Sequence, residues 1–201
     1  MGSTTLIDIL GSMFIGGLLI LTALNMNDSA TKNTFQSQEN LTVQQNMTSI
    51  IQNLQWDFRK IGYCTDPTQI SDPKYFILFG DSDSVVFRAD MFDSGHTDTV
   101  YWYLGNIIPG PNPRIRQLCR RVGQFGVVDS ANLGVTEFSL VYYDLCDSVM
   151  KKVVAPQANI PQLIELTVRV EPTAAYDTAY YQNFSYWRQT RLVSRNLTKQ
   201  R

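Results

Sequence analysis

The sequence predicts an α+β fold in which one long N-terminal helix lies across an antiparallel sheet, and three observations carry that prediction. Leu6 to Leu24 form an apolar run whose sole charge is Asp8. From Val43 to Ile61 the apolar residues recur at helical spacing. After Cys64 the pattern changes to short runs of β-branched and aromatic residues between clusters of Gly, Pro, Asn and Asp. The 201 residues suffice for one soluble domain plus one extended element. The expected division is an apolar helix over 1–34, its amphipathic continuation over 35–62, and a β-rich head over 63–201.

At about 1.5 Å per residue, the stretch LIDILGSMFIGGLLILTAL nearly crosses a hydrocarbon core of ~30 Å, so it is long enough to span a membrane. It differs from a secretory signal peptide: no basic residue leads into it, and no A-x-A-like cleavage site follows Leu24. The polar but helix-compatible NMNDSATKNTFQSQEN comes next. A carboxylate near one end of an apolar helix is costly unless paired, so Asp8 calls for a cationic partner or for a solvated position at a membrane interface, where the helix dipole favours it. Gly11, Gly16 and Gly17 cost about 1 kcal/mol each relative to alanine inside a helix. They allow close helix packing or local unwinding, or they are simply tolerated, as glycine is in membrane helices.

In the second half, Val43, Met47, Ile50, Ile51, Leu54, Phe58 and Ile61 form one stripe that must be buried, while Gln44, Gln45, Asn53 and Arg59 face away. Gly62 supplies a stop. The simplest reading is one helix from about Thr4 to Ile61, with Asn25 to Thr34 as an alternative break because Asn, Asp and Ser favour caps and turns. Seven strands are expected, at Tyr75–Phe79, Ser84–Arg88, Thr97–Leu104, Arg114–Val122, Val135–Tyr143, Leu163–Val170 and Phe184–Val193. The sixth alternates most clearly, with Ile164, Leu166, Val168 and Val170 on one side and Glu165, Thr167 and Arg169 on the other. One apolar sheet face and one apolar helix stripe solve each other's burial.

The 17 basic and 18 acidic residues nearly cancel, so no overall field draws the chain to nucleic acid or to an anionic surface. Cys64, Cys119 and Cys146 lack zinc-site spacing, which leaves one disulfide of Cys64 with Cys119 or Cys146, or three buried thiols. No cofactor or metal is implied. His96, the only histidine, lies in the turn-like DSGHTD without a nucleophile elbow or phosphate loop, so it reads as a surface residue and the chain as no enzyme. Asp81, Asp83, Asp90, Asp93 and Asp98 lack EF-hand spacing and read as solvated strand ends. The basic residues of RIRQLCRR, Arg114 to Arg121, would be divided between two faces by strand alternation. N-x-S/T triplets at Asn27, Asn40, Asn46, Asn183 and Asn196 are candidate glycosylation acceptors that fit an exported surface.

The opening GSTTLIDIL resembles the signal junction of type IV pilins and pseudopilins, a glycine, a small or apolar residue, then a Leu-Ile-acid triplet matched by Leu6, Ile7 and Asp8. LQWDFRKIGY, Leu54 to Tyr63, resembles the end of the long helix in larger minor pilins and J-type pseudopilins of type II secretion. RLVSRNL, Arg191 to Leu197, resembles their terminal strand with its Arg-Asn pair. The order of helix, WDFRKIGY-like junction, strands and Arg-Asn ending extends the resemblance over nearly the whole chain. The resemblance implies cleavage by a prepilin peptidase after Gly2 and methylation at Ser3. It also implies passage from the bacterial inner membrane, through assembly machinery, into a surface filament of identical or related subunits. Asp8, Gly16 and Gly17 would then serve assembly, with an incoming α-amino group neutralising a buried carboxylate. Two departures stand out: the family acid is a glutamate at the fifth mature position, whereas Asp8 would be sixth, and the family's basic leader does not precede Gly2. The expected function is a structural filament subunit, with a minor pilin or secretion pseudopilin as the near alternative. A monomeric membrane-tethered binding or adhesion module is the rival of another class.

Overall fold

The computed structural model describes residues 2–70, 72–144, 146, 148–150, 152–156, 160–173, 186–193 and 196. It has the α+β architecture expected from the sequence. Helix α1 runs unbroken from Gly2 to Arg59, 58 residues and so about 87 Å long. The polar stretch from Asn25 to Thr34 is no break, because its side chains find partners inside the helix. The hydroxyls of Thr31 and Thr34 donate to the carbonyls of Asn27 and Ala30, and Lys32 pairs with Asp28 one turn back at 3.0 Å. Groups that would otherwise compete for the backbone are thereby satisfied without leaving helical geometry.

Among the described residues the remainder forms ten strands in two antiparallel sheets rather than the single sheet expected. The six-stranded sheet contains β1 (Ile77–Gly80), β2 (Ser84–Ala89), β3 (Asp98–Ile107), β4 (Arg116–Val122), β5 (Val128–Ala131) and β8 (Val153–Val154), in the order β5-β4-β3-β2-β1-β8. The four-stranded sheet has the order β10-β9-β6-β7, from β6 (Val135–Tyr143), β7 (Val149–Met150), β9 (Leu163–Val170) and β10 (Tyr186–Leu192). Strands β1, β2, β3, β4, β6, β9 and β10 fall on the seven expected runs, while β5, β7 and β8 are too short or too polar to show a period.

Both sheets turn their apolar faces to the stripe on α1. All seven stripe residues are buried, none more than 6% exposed. They meet Val85, Phe87, Val100 and Trp102 from one sheet and Phe138, Leu140, Leu166 and Val168 from the other in one continuous core. Phe58 packs edge-on to Phe87 with ring centroids 5.8 Å apart. Burying a side chain such as Leu54 to 0% exposure stabilises by roughly 1.5–3 kcal/mol. Tyr142 on β6 ties the sheets together by donating its hydroxyl to the Ser84 carbonyl, and its burial pushes the phenol pKa well up, keeping it a neutral donor.

The helix exit depends on Gly62, whose φ of +69° suits glycine and whose N–H donates to the Arg88 carbonyl. A Cβ there would lie 2.3 Å from the Phe76 ring. Asn196 closes the same corner by donating Nδ2 to the Ile61 carbonyl at 3.1 Å. The segment LQWDFRKIGY and Asn196, far apart in sequence, therefore meet where the helix ends.

Candidate functional site

The most conspicuous surface is the free half of α1. No part of its most apolar 18-residue window is buried, and Phe14 is 71% and Leu18 49% exposed. The hydroxyls of Ser12 and Thr22 donate to the carbonyls of Ile9 and Leu18, so these polar side chains are satisfied along the rod. The rod can therefore lie in a medium without water, as a membrane span or against other apolar helices. Asp8 stands exposed on it, and Gly2 and Ser3 fall in its first turn. The helix continues regularly through Gly11, Gly16 and Gly17, where an added Cβ would meet nothing within 4 Å, so these positions are smooth rather than unwound.

The rod is joined to the head by polar contacts buried at its C-terminal end. Asp57, 2% exposed, accepts from Trp102 Nε1 at 2.7 Å and from Arg120 Nε and Nη2 at 2.6 and 3.1 Å. Lys60 Nζ donates to the carbonyls of Asp90 and Met91 and pairs with Asp93 at 3.2 Å, lying also over the rings of Trp56 and Tyr63. Asn46 Nδ2 donates to the Leu133 carbonyl further down the helix. A cleft of about 240 Å³ opens beside Asp57, lined by Ile50, Trp102, Arg120 and Asp129 among others.

One aspartate corrects the expectation of solvated strand ends. Asp90 is completely buried, and its carboxylate accepts from the backbone N–H groups of Ser94, Gly95 and Thr65 at 2.9, 2.8 and 3.3 Å. Burial opposes its ionisation, but the three amides outweigh it and hold the carboxyl down at about 2. Because the folded pKa lies below the unfolded value of about 3.9, its stabilisation is present above pH 4 and is lost as pH falls towards 2. Thermal melts of the full-length protein from pH 6 to pH 2 should therefore fall steeply below pH 4, and Asp90→Asn should flatten that fall. His96 sits exposed in the same loop, its N–H bonded to Ser94 Oγ.

A third buried carboxylate bolts the sheets together. Glu171, at the end of β9, accepts from Asn112 Nδ2 at 3.0 Å and pairs with Arg114 at 2.9 Å and Arg169 at 3.4 Å. The basic run divides as strand alternation requires. Arg120 turns inward to Asp57, while Arg121 lies on the outer face over the Tyr101 ring, 4.0 Å from its centroid.

The cysteines depart from both readings offered for them. All three thiols are free, so the disulfide of Cys64 with Cys119 or Cys146 is not formed, and only Cys119 is buried. Each sits in a different part of the head: Cys64 past the helix end beside Asp90, Cys119 within β4, and Cys146 in an exposed turn after β6. Burial pushes the Cys64 thiol pKa up, with the Asp66 and Asp90 charges adding to it. The candidate acceptors Asn40 and Asn46 are half-buried on the helix rather than in a surface loop, and the amide nitrogens of Asn46 and Asn196 are already engaged as donors. Asn27 is exposed on the helix, and Asn183 lies outside the described residues.

Sequence reasoning missed Asp57, although a signal existed: it stands seven residues after Ile50 and three after Leu54, on the stripe itself. No protein-family model matches the chain, and no curated protein matches it.

Proposed function

We propose that the chain is a structural subunit of a type IV pilus-like extracellular filament, held in a membrane before assembly and polymerising through its N-terminal helix. The observation that carries this reading is the uncovered apolar rod, mounted on the head by a buried ion pair. A contiguous apolar surface of this extent is not left in water by a monomer. In a membrane it is solvated by lipid, and outside one it is covered by other rods. The pilin-like combination of one long apolar helix with an antiparallel head supports the same reading, as does Asp8 near the rod's start. In a bundle of rods that carboxylate is desolvated, and an α-amino group from a neighbouring copy would neutralise it.

Electron microscopy of filaments sheared from expressing cells, with mass spectrometry of the N-terminus, tests this. The expected result is filaments that contain this chain beginning at a methylated Ser3, and loss of those filaments in Asp8→Ala with the membrane pool retained. Filaments lacking the chain, or a detergent-solubilised protein that stays monomeric with Asp8→Ala displayed as before, would point to a tethered binding module instead.

A further inference from the structure

The outer face of the six-stranded sheet, turned away from α1, carries a pattern that the filament reading does not use. Register pairs Phe79 with Val86, Val86 with Tyr101, and Tyr101 with Arg121, placing all four in one row across β1 to β4. Tyr103 stands two residues along β3 on the same face, since the alternate residues Val100 and Trp102 are buried inward. Two of the rings are paired with cations: the Arg121 guanidinium lies 4.0 Å from the Tyr101 centroid, and Lys152 Nζ 5.0 Å from that of Phe79. Arg88 adds a third cation to this face, beside Thr99 of β3.

A further observation concerns the charge on this face. No carboxylate occupies the outward rows of β2 to β5: Asp98 pairs with the buried Ala89, and Asp129 lines the cleft with Arg120, so both fall on the side of Asp57. The near-zero net charge of the chain thus conceals a segregated face that gathers three cations and three aromatic rings and has no acidic side chain in the outward rows of β2 to β5.

We propose that this face binds single-stranded nucleic acid, the rings and the Arg121 plane stacking bases while Arg88, Arg121 and Lys152 meet phosphates. Base stacking on aromatic side chains alongside cations is the general solution for single strands, and it needs no base-specific hydrogen bonds. Phe79 and Tyr101 lie two strands apart, about 10 Å, which matches roughly three base-stacking steps. The charge of the face suits a polyanion, and the rings favour one that carries bases over one that does not.

The test uses the full-length protein in detergent micelles and a fluorescein-labelled oligothymidylate of about twelve nucleotides, followed by fluorescence anisotropy. Binding should weaken with salt at a log–log slope of about −2, as three phosphate contacts require. An abasic oligomer of equal charge should bind roughly tenfold more weakly, as should Tyr101→Ala with the oligothymidylate, while Tyr101→Phe retains affinity. Arg121→Gln should reduce the slope by about 0.7. Lys152→Gln, outside the sheet strands, gives a second charge variant that leaves the strand rows intact, with a similar loss of slope. Absence of binding at low salt, equal binding of the abasic oligomer or of a sulfated polysaccharide, or indifference to Tyr101→Ala would each overturn the proposal. None of these outcomes bears on filament formation, so the two readings fail separately.

Discussion

Asp57→Ala should destabilise the head by about 3–5 kcal/mol, the range for removing one partner of a buried ion pair. The carboxylate is the shared acceptor for Trp102 Nε1 and for two nitrogens of Arg120, which come from neighbouring strands of the six-stranded sheet. Without it an indole N–H and a guanidinium, three-quarters buried, lose their acceptor at the place where helix and sheet meet. Arg120 is partly open to the cleft, so water recovers some of its solvation and the lower end of the range is expected. Urea denaturation of the full-length protein in detergent, followed by tryptophan fluorescence, measures the effect. Asp57→Asn keeps one acceptor for Trp102 and should lose less than the alanine variant. Equal losses in the two would mean that the charge, not the hydrogen bond to the indole, sets the stability, and a loss below 1 kcal/mol for alanine would refute the role assigned to this pair.

The helix stripe was legible because burial on α1 follows a single geometric rule. Val43 to Ile61 keep one face over five turns, and each of the seven residues is buried as spacing requires. Strand positions were legible for the same reason wherever a run was long enough to show its period, as in β9 with Ile164, Leu166, Val168 and Val170 inward. Sheet membership was not legible. Whether β6 pairs with β5 or returns to β9 is decided by long-range packing, and β6 and β9 read locally like any other strand of the head. The two-residue strands β7 and β8 carry too little pattern to register, yet β8 is what pairs with β1 and brings the chain between β7 and β9 to the edge of the other sheet.

The polar sites were less legible, because a charged residue in a sequence does not announce its surroundings. Asp90 sits in a run of loop aspartates and looks solvated, but the turn from Ser94 to Gly95 folds its amides back onto the carboxylate. Asp57 looks like one charge among three in WDFRK, although its offset from Ile50 and Leu54 places it on the buried stripe. The outer face of the six-stranded sheet was hidden for another reason. Counting charges over the whole chain averages an inward carboxylate such as Asp129 with an outward cation such as Arg121, and only the register separates them.

Placing two charges on the rod, as Ile15→Arg together with Leu19→Arg, should abolish membrane retention while leaving the head folded. Each arginine at the centre of a membrane helix costs about 2.5–3.5 kcal/mol, so the pair opposes insertion by roughly 5–7 kcal/mol. The residues lie four apart on one face of an apolar window that no part of the head covers, so their replacement removes no contact from the core. Alkaline extraction of membranes followed by immunoblotting should find the wild-type chain in the pellet and the variant in the supernatant, with an unchanged urea midpoint for the head. Retention of the variant in the pellet would mean that something other than the rod holds the chain to the membrane. A lowered midpoint would mean that the rod folds back onto the head, which would remove the separation between anchor and domain on which assembly through the rod depends.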